Sequence, residues 1–454
     1  MHPSMREASG GAHPGEDRLR WLAWLLLLSS LVVIVRVTLA PGTAQDRIPE
    51  DFLCLLCGQA GLANLLRNVL LFFPLGVALG IQARAGAWQA PARAWMGAVS
   101  LSILIEAAQT QIPGRNPLLI DILSNGSGAG LGVLVGAAVR ARVRNPPSGR
   151  FPLAADPRLW MGVALGILLT TGWLLSLSPP PPPHYVQWTA RLGHLEVYEG
   201  SLRAARLEGR HLAPGRHPDP SFLSRGLTAG GLLELEVEAG PPPPGTAPVL
   251  SVFNDRQEEL FLLGVAGEDL VVHLPHRATR LRLTHPDIRA WDAFAGFGMG
   301  AGVEVGFRLR SAEACFTVDG AERCEARPSL AKGWALLLFP PRLGRGGRGV
   351  LSTLWLMALA FPAAFLARSG TGGIRNGALL ALASLAIPLL PLSGAPLVPW
   401  TAVALLMGAG LGLGAHWGLG IGSGMAPAGG QDGDETEGHR SGTGGLQSPT
   451  RGRP

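Results

Sequence analysis

Eight residues of this chain have types and spacings that could do chemistry: Asn64, Arg67, Asn68, Glu106, Gln109, Arg115, Asp121 and Asn125 stand within or beside long apolar runs. An ionisable side chain at mid-bilayer costs at least about 2.5 kcal/mol on insertion scales, so such groups usually face a protein interior and mark function. Two guanidinium groups, on Arg67 and Arg115, are set against two carboxyl groups, on Glu106 and Asp121. A guanidinium fork suits an anion such as a phosphate. A carboxylate near a bound substrate can orient it or accept a proton, with Glu106 the first candidate for a catalytic base and Asp121 the second. Asn64, Arg67, Asn68, Gln109, Arg115 and Asn125 are the candidate ligand-binding residues.

The elements that must position these groups are helices. Asn64, Arg67 and Asn68 form a stripe on one side of a helix, and Glu106 with Gln109 share a face three residues apart. Asp121 and Asn125 are four apart and lead into Gly128, Gly132 and Gly136, a small-residue repeat that lets another helix backbone come close. Pro74 interrupts the first of these helices, where it removes a backbone hydrogen bond and predicts a kink. If that helix enters from the external side, every polar group lies within roughly 10 Å of the outer helix ends at about 1.5 Å per residue. The charges can then meet at one depth and largely neutralise one another. Polar glue between helices, worth about 0.6 kcal/mol per contact on average, is the competing reading.

The chain has 454 residues, of which 47% are hydrophobic and only 15% charged, and its mean hydropathy is +0.26. This is a membrane protein's balance. Apolar runs near the 20 residues that a bilayer needs occur at 20–40, 62–80, 92–111, 121–139, 158–178, 349–368, 374–392 and 397–418. The net charge of +6 does not point to nucleic acid, because the arginines collect at the ends of apolar runs and aromatic residues are only 6%. Positive-inside bias explains them with both termini cytoplasmic. Arg342, Arg345 and Arg348 are the exception, lying on the outer side just before the sixth run.

The expected order is a disordered cytoplasmic arm at 1–19, a membrane bundle at 20–140, and a basic loop with the fifth helix at 141–178. A proline linker at 179–183, a soluble extracytoplasmic domain at 184–342, three membrane helices at 349–418 and a disordered cytoplasmic tail at 423–454 follow. The first run is read as a retained anchor, since it is long for a signal core and Pro41 follows the small-residue site. Cys54 and Cys57 are read as small apolar residues at a membrane interface. The basic loop could meet anionic head groups, and the run Pro179–Pro183 is expected to extend as polyproline and hold the next domain off the bilayer.

The segment Asn68-Val-Leu-Leu-Phe-Phe-Pro-Leu-Gly76, then Glu106-x-x-Gln109, then Pro113-Gly114-Arg115 followed by Asp121, Asn125 and Gly128, resembles the VanZ-like membrane family. The resemblance covers about 20–140. Asn64 stands where that family commonly has Asp, and Leu118 where a second polar residue often lies. The resemblance implies a role in envelope physiology or glycopeptide resistance, and no established reaction.

The soluble segment reads as strands. Gly231 to Glu238 alternates apolar and acidic residues, and runs at 249–253, 259–264, 269–274 and 302–309 are short and bounded by turn residues, which argues a β-sandwich. Cys315 to Cys324 reads as a hairpin turning at Asp319-Gly320, with the two cysteines facing each other as a disulfide, which needs an oxidising compartment. With Leu250 to Asp255, Phe261 to Gly264, Asp269 to Val272 and a final strand at 334–338, the segment resembles a laminin-G or concanavalin A-like jelly roll. That resemblance implies a glycan- or protein-binding surface, sometimes with calcium. Asn254 with Asp255 is only a weak calcium candidate, and His273, His276 and His285 lack metal-ligand spacing. No metal and no cofactor are expected.

The fold class is therefore an α-helical polytopic membrane protein of about eight membrane helices with an extracytoplasmic β-sandwich. The expected partners are the lipid bilayer and an envelope glycan or lipid-linked precursor, with no nucleic acid. Three functions compete. The first is an envelope protein with a polar outer-leaflet site and a glycan- or protein-binding domain. The others are a membrane enzyme acting on a lipid-linked envelope precursor and a membrane-anchored adhesion or lectin module.

Overall fold

The computed structural model describes residues 14–40, 52–56, 58, 60–83, 89–113, 115–144, 156–189, 191–192, 195–338, 343–367 and 370–418. The readings made for Pro41 to Asp51, Cys57, the tail after 418, Arg342 and most of the basic loop lie outside them. Five helices, α1 (Pro14–Thr38), α2 (Gly61–Gln82), α3 (Gln89–Gln109), α4 (Leu119–Arg144) and α5 (Pro157–Leu174), precede a β-rich segment that carries two short helices, α6 (Pro220–Thr228) and α7 (Arg277–Arg280). α8 (Arg345–Phe365), α9 (Gly370–Ala386) and α10 (Trp400–Gly418) follow. Pro14 to Leu19, read as disordered arm, thus begin α1, where Glu16 pairs with Arg140 and Arg144. α1 buries Ala23 and Ile34, so it packs as part of the bundle.

Among the described residues, five segments are long and apolar enough to cross a membrane: Glu16–Thr38, Gly61–Gln82, Leu119–Arg144, Arg345–Phe365 and Thr371–Leu389. α3, α5 and α10, also counted as spans from sequence, fall outside that set. Arg93, Glu106 and the glutamines dilute α3, Pro157 and Arg158 lower the hydropathy of the short α5, and glycines thin α10.

The tightest helix contact joins α2 to α4, and glycine makes it. A Cβ placed on Gly128, Gly132 or Gly136 would lie 2.1 or 2.2 Å from the carbonyl oxygens of Val69, Phe73 and Val77, and one on Gly76 or Gly80 would strike Ala129 or Val133 at 2.2 or 2.3 Å. The glycine stripe on α4 thus meets a second stripe on α2, which the sequence reading had not paired with it. Only backbone-to-backbone contact lets two helices approach so closely. α10 shows a weaker form. Gly408 and Gly412 meet Met357 and Phe361 of α8, whereas Gly410 and Gly414 face open space.

The β-rich segment is two six-stranded antiparallel sheets. The first runs β4-β1-β6-β7-β8-β9 and the second β12-β11-β10-β5-β2-β3, from β1 (His184–Trp188), β2 (Ser201–Leu207), β3 (Arg210–His211), β4 (Gly215–Arg216), β5 (Leu232–Glu238), β6 (Thr246–Asn254), β7 (Glu259–Ala266), β8 (Asp269–His273), β9 (Ile288–Ala290), β10 (Gly302–Leu309), β11 (Glu313–Val318) and β12 (Ala321–Ala326). One core lies between them, in which Phe307 meets Phe261 at a tilt and Phe316 edge to face. The alternation read in β5 holds: Leu233, Leu235 and Val237 are buried, Glu234 and Glu236 exposed. Cys315 faces Cys324 across β11 and β12 and is disulfide-bonded to it, with Asp319 and Gly320 at positive φ in the turn as a two-residue hairpin requires. The final strand expected at 334–338 is absent. Leu330–Leu336 is a 3-10 segment instead, because Trp334 turns its indole N–H to Ser352 of α8 at 2.9 Å.

That segment is part of the seat of the sandwich on the helices. Ala278, Leu283, Leu330, Ala331 and Leu336 share a core with Ala63 of α2, Leu168 and Leu174 of α5 and Leu356 of α8. Backbone bonds reinforce it, from Ala63 N–H to the Arg282 carbonyl at 3.2 Å and from Arg277 N–H to the Ser176 carbonyl at 3.0 Å. The proline run accordingly does not hold the domain away from the helix ends. Its carbonyls at Pro179, Pro180 and Pro181 are bonded to Arg280, His184 and Asn254 of the domain. Strands β7 and β8 are buried on both faces, unlike β5 and β10, which alternate.

Candidate functional site

The eight polar residues gather at the ends of α1 to α4 that lie nearest the sandwich. Arg67 donates to the Asn64 side-chain carbonyl one turn earlier on α2. One turn along, Asn68 donates to the Asp121 carboxylate at 2.6 Å, tying α2 to α4. Glu106, on α3, is buried and accepts from the Leu118 N–H at 3.2 Å. Asp121 lies within electrostatic reach of both Arg67 and Glu106, and Arg115 of both as well. Asn125 donates to Ser102 of α3 at 2.9 Å, while its buried side-chain oxygen makes no hydrogen bond among the described residues.

Arg115 and Gln109 are used differently. Arg115 donates to the Val37 and Ala40 carbonyls at 2.8 and 3.0 Å, and Gln109 to the Thr38 carbonyl at 2.9 Å. These are the orphan carbonyls at the C-terminus of α1, where a cation also meets the negative end of the helix dipole. The charges that the sequence placed at one depth thus come together, but two of the predicted ligand-binding groups are spent on closing α1. Trp95, which sequence reasoning passed over, joins α3 to α4 by donating to the Gly126 carbonyl at 2.8 Å.

A second polar region, missed from sequence, lies where the sandwich meets α8. Asp287 accepts from Arg289 at 2.6 Å and from Arg348 at 2.6 Å, and Arg289 reaches Asp269 at 3.2 Å. Burial alone would raise the Asp287 carboxyl, but the two guanidinium groups hold it below the usual range. Burial pushes Arg327 and Lys332 down, Asp287 partly offsetting the effect at Lys332. Nearby, burial and the Arg327 charge keep His276 neutral, with its pKa lowered to about 3. The arginines that broke the positive-inside pattern therefore have partners: Arg348 binds Asp287, and Arg345 binds Glu325 at 3.3 Å.

Among residues that could hold a metal, Glu259, His273 and His285 bring one donor atom each to within 4.8 Å of the others, and burial raises the Glu259 carboxyl to about 7. Two histidines and a carboxylate are a zinc donor set. Spacing could not find it, because the three sit on β7, on β8 and in the loop before β9. Asn254, the weak calcium candidate, instead closes the turn between β6 and β7 by accepting from the Arg256 and Glu258 N–H groups at 3.0 and 2.9 Å. Cys54, read as a small apolar residue, is disulfide-bonded.

No curated protein and no solved structure matches the chain. The family model described as VanZ/LLP1 matches residues 20–140, so the part of the chain that carries α1 to α4 and all eight polar residues is similar to a membrane family of the cell envelope.

Proposed function

We propose that this is a cell-envelope membrane protein whose VanZ-like bundle presents a polar site at the outer leaflet, with the sandwich on the external side. The observation that carries this reading is the convergence of Arg67, Glu106, Arg115 and Asp121 at the helix ends on which the sandwich sits. Arg67 holds an anionic group there, with Glu106 and Asp121 orienting it, in a role linked to glycopeptide resistance. Glu106→Gln, Arg67→Gln and Asp121→Asn, tested singly, should change susceptibility to a glycopeptide antibiotic at unchanged protein level. Loss of the protein itself would identify these residues as glue between helices.

The reading of the sandwich as a lectin-like module rests on a separate observation. A groove of about 310 Å³ crosses the solvent face of the second sheet, lined by Arg206, Glu234, Glu236, Glu304 and Thr317, which offers hydrogen-bonding groups to sugar hydroxyls in the manner of a jelly-roll lectin. A glycan array probed with the full-length protein should give hits that Glu236→Ala removes; a blank array would set this reading aside.

A further inference from the structure

A cavity of about 240 Å³ lies between the sandwich and the ends of α8 and α10. Five cationic side chains line it, from Arg289, Arg327, Lys332, Arg345 and Arg348, against two carboxylates, from Asp287 and Glu325. The carboxylates are already engaged: Asp287 by Arg289 and Arg348, Glu325 by Arg345. Lys332 makes no side-chain hydrogen bond or ion pair among the described residues. Arg327 spends one nitrogen on the Ser311 carbonyl at 2.9 Å, while its Nε, like one terminal nitrogen of Arg348, is buried without a hydrogen-bond partner. Buried cationic donors without acceptors are costly, and a bound anion would supply the acceptors.

The surroundings say which carrier such an anion has. Trp291 and Trp400 stand at the cavity wall, as aromatic residues do where helices leave a bilayer. Beneath it, Val350 and Leu354 of α8 and Val403 of α10 are 61%, 55% and 55% exposed, an apolar surface suited to acyl chains. We propose that this cavity is a phosphate-binding site for an anionic lipid, with Lys332, Arg327 and Arg348 holding the headgroup and the chains lying along α8 and α10. This site is separate from the polar cluster of α2 to α4 and does not depend on which side of the membrane the sandwich occupies.

Native mass spectrometry of the full-length protein in mild detergent tests it, with phosphatidylglycerol, phosphatidylcholine and inorganic pyrophosphate as probes. The wild type should retain phosphatidylglycerol over phosphatidylcholine, and pyrophosphate should displace it. Lys332→Gln should weaken retention about tenfold, the size expected for losing a charge-assisted contact, while Lys332→Arg keeps it. Asp287 keeps Arg289 and Arg348, and Glu325 keeps Arg345, when Lys332 is replaced, so the variant leaves neither carboxylate without a partner; Arg327→Gln provides a second variant. Equal retention of both lipids, unchanged retention in both glutamine variants, or pyrophosphate binding without a lipid adduct would overturn the assignment.

Discussion

The polar cluster of α2 to α4 and the charged junction between the sandwich and α8 use similar residues to opposite ends. In the first, each of the eight groups has a fixed partner on a neighbouring helix turn, strand of backbone or side chain, and two of them seal the end of α1. In the second, cations outnumber carboxylates around a cavity, and donors are left over. A polar residue in an apolar helix announces itself, yet much of what it does is hold helices together. Surplus charge between two packed domains is silent in sequence, and there a nitrogen each of Arg327 and Arg348 stays without a hydrogen-bond partner.

The comparison can be broken at the contact that supports the first region. Gly132→Leu would drive a side chain into the Phe73 carbonyl, only 2.2 Å from its Cβ. No rotamer relieves a backbone clash, so we expect loss of folded protein, read by size-exclusion chromatography after detergent extraction. In the second region, Asp287→Ala should cost about 3–5 kcal/mol, since it leaves the buried Arg348 without a carboxylate and Arg289 with Asp269 alone. Chemical denaturation of the full-length protein measures it; a cost under about 1 kcal/mol would mean that the cations do not depend on Asp287.

Acid should act through His276. Its pKa falls from an ordinary 6.5 to about 3 on folding, so the unfolded chain binds a proton first. Stability is then retained above pH 6.5 and lost as pH falls toward 3, by about 3 kcal/mol at pH 4 at about 1.4 kcal/mol per unit. His276→Gln should flatten the pH dependence of Tm over that range, and an unaltered profile would assign acid sensitivity elsewhere. The smallest effect is expected of Asn68→Ala, about 1–2 kcal/mol, because it removes one charge-assisted hydrogen bond at a partly exposed position. If Asn68→Ala proved costlier than Asp287→Ala, the contrast between the two regions would be reversed.

Much of the helical part was legible because apolar runs and the polar stripes inside them are local patterns. The glycines of α4, the hairpin at Asp319-Gly320 and the alternation of β5 were legible for the same reason. The strand expected at 334–338 failed because Trp334 found a partner on α8, a contact between segments that no window of sequence contains. Gly76 and Gly80 went unpaired with α4 because only the packed helices show which faces meet.

By itself, the order of residues determined that a membrane bundle of VanZ-like pattern carries a β-sandwich bonded by Cys315 and Cys324, since burial period and turn chemistry act over a few residues. Only the tertiary structure decided that Arg115 closes α1, that Glu259, His273 and His285 converge, and that the arginines at the start of α8, which looked misplaced, face Asp287 and Glu325. The reason is physical. What a charge does depends on the partner and the dielectric around it, and both are set by segments brought together from far along the chain.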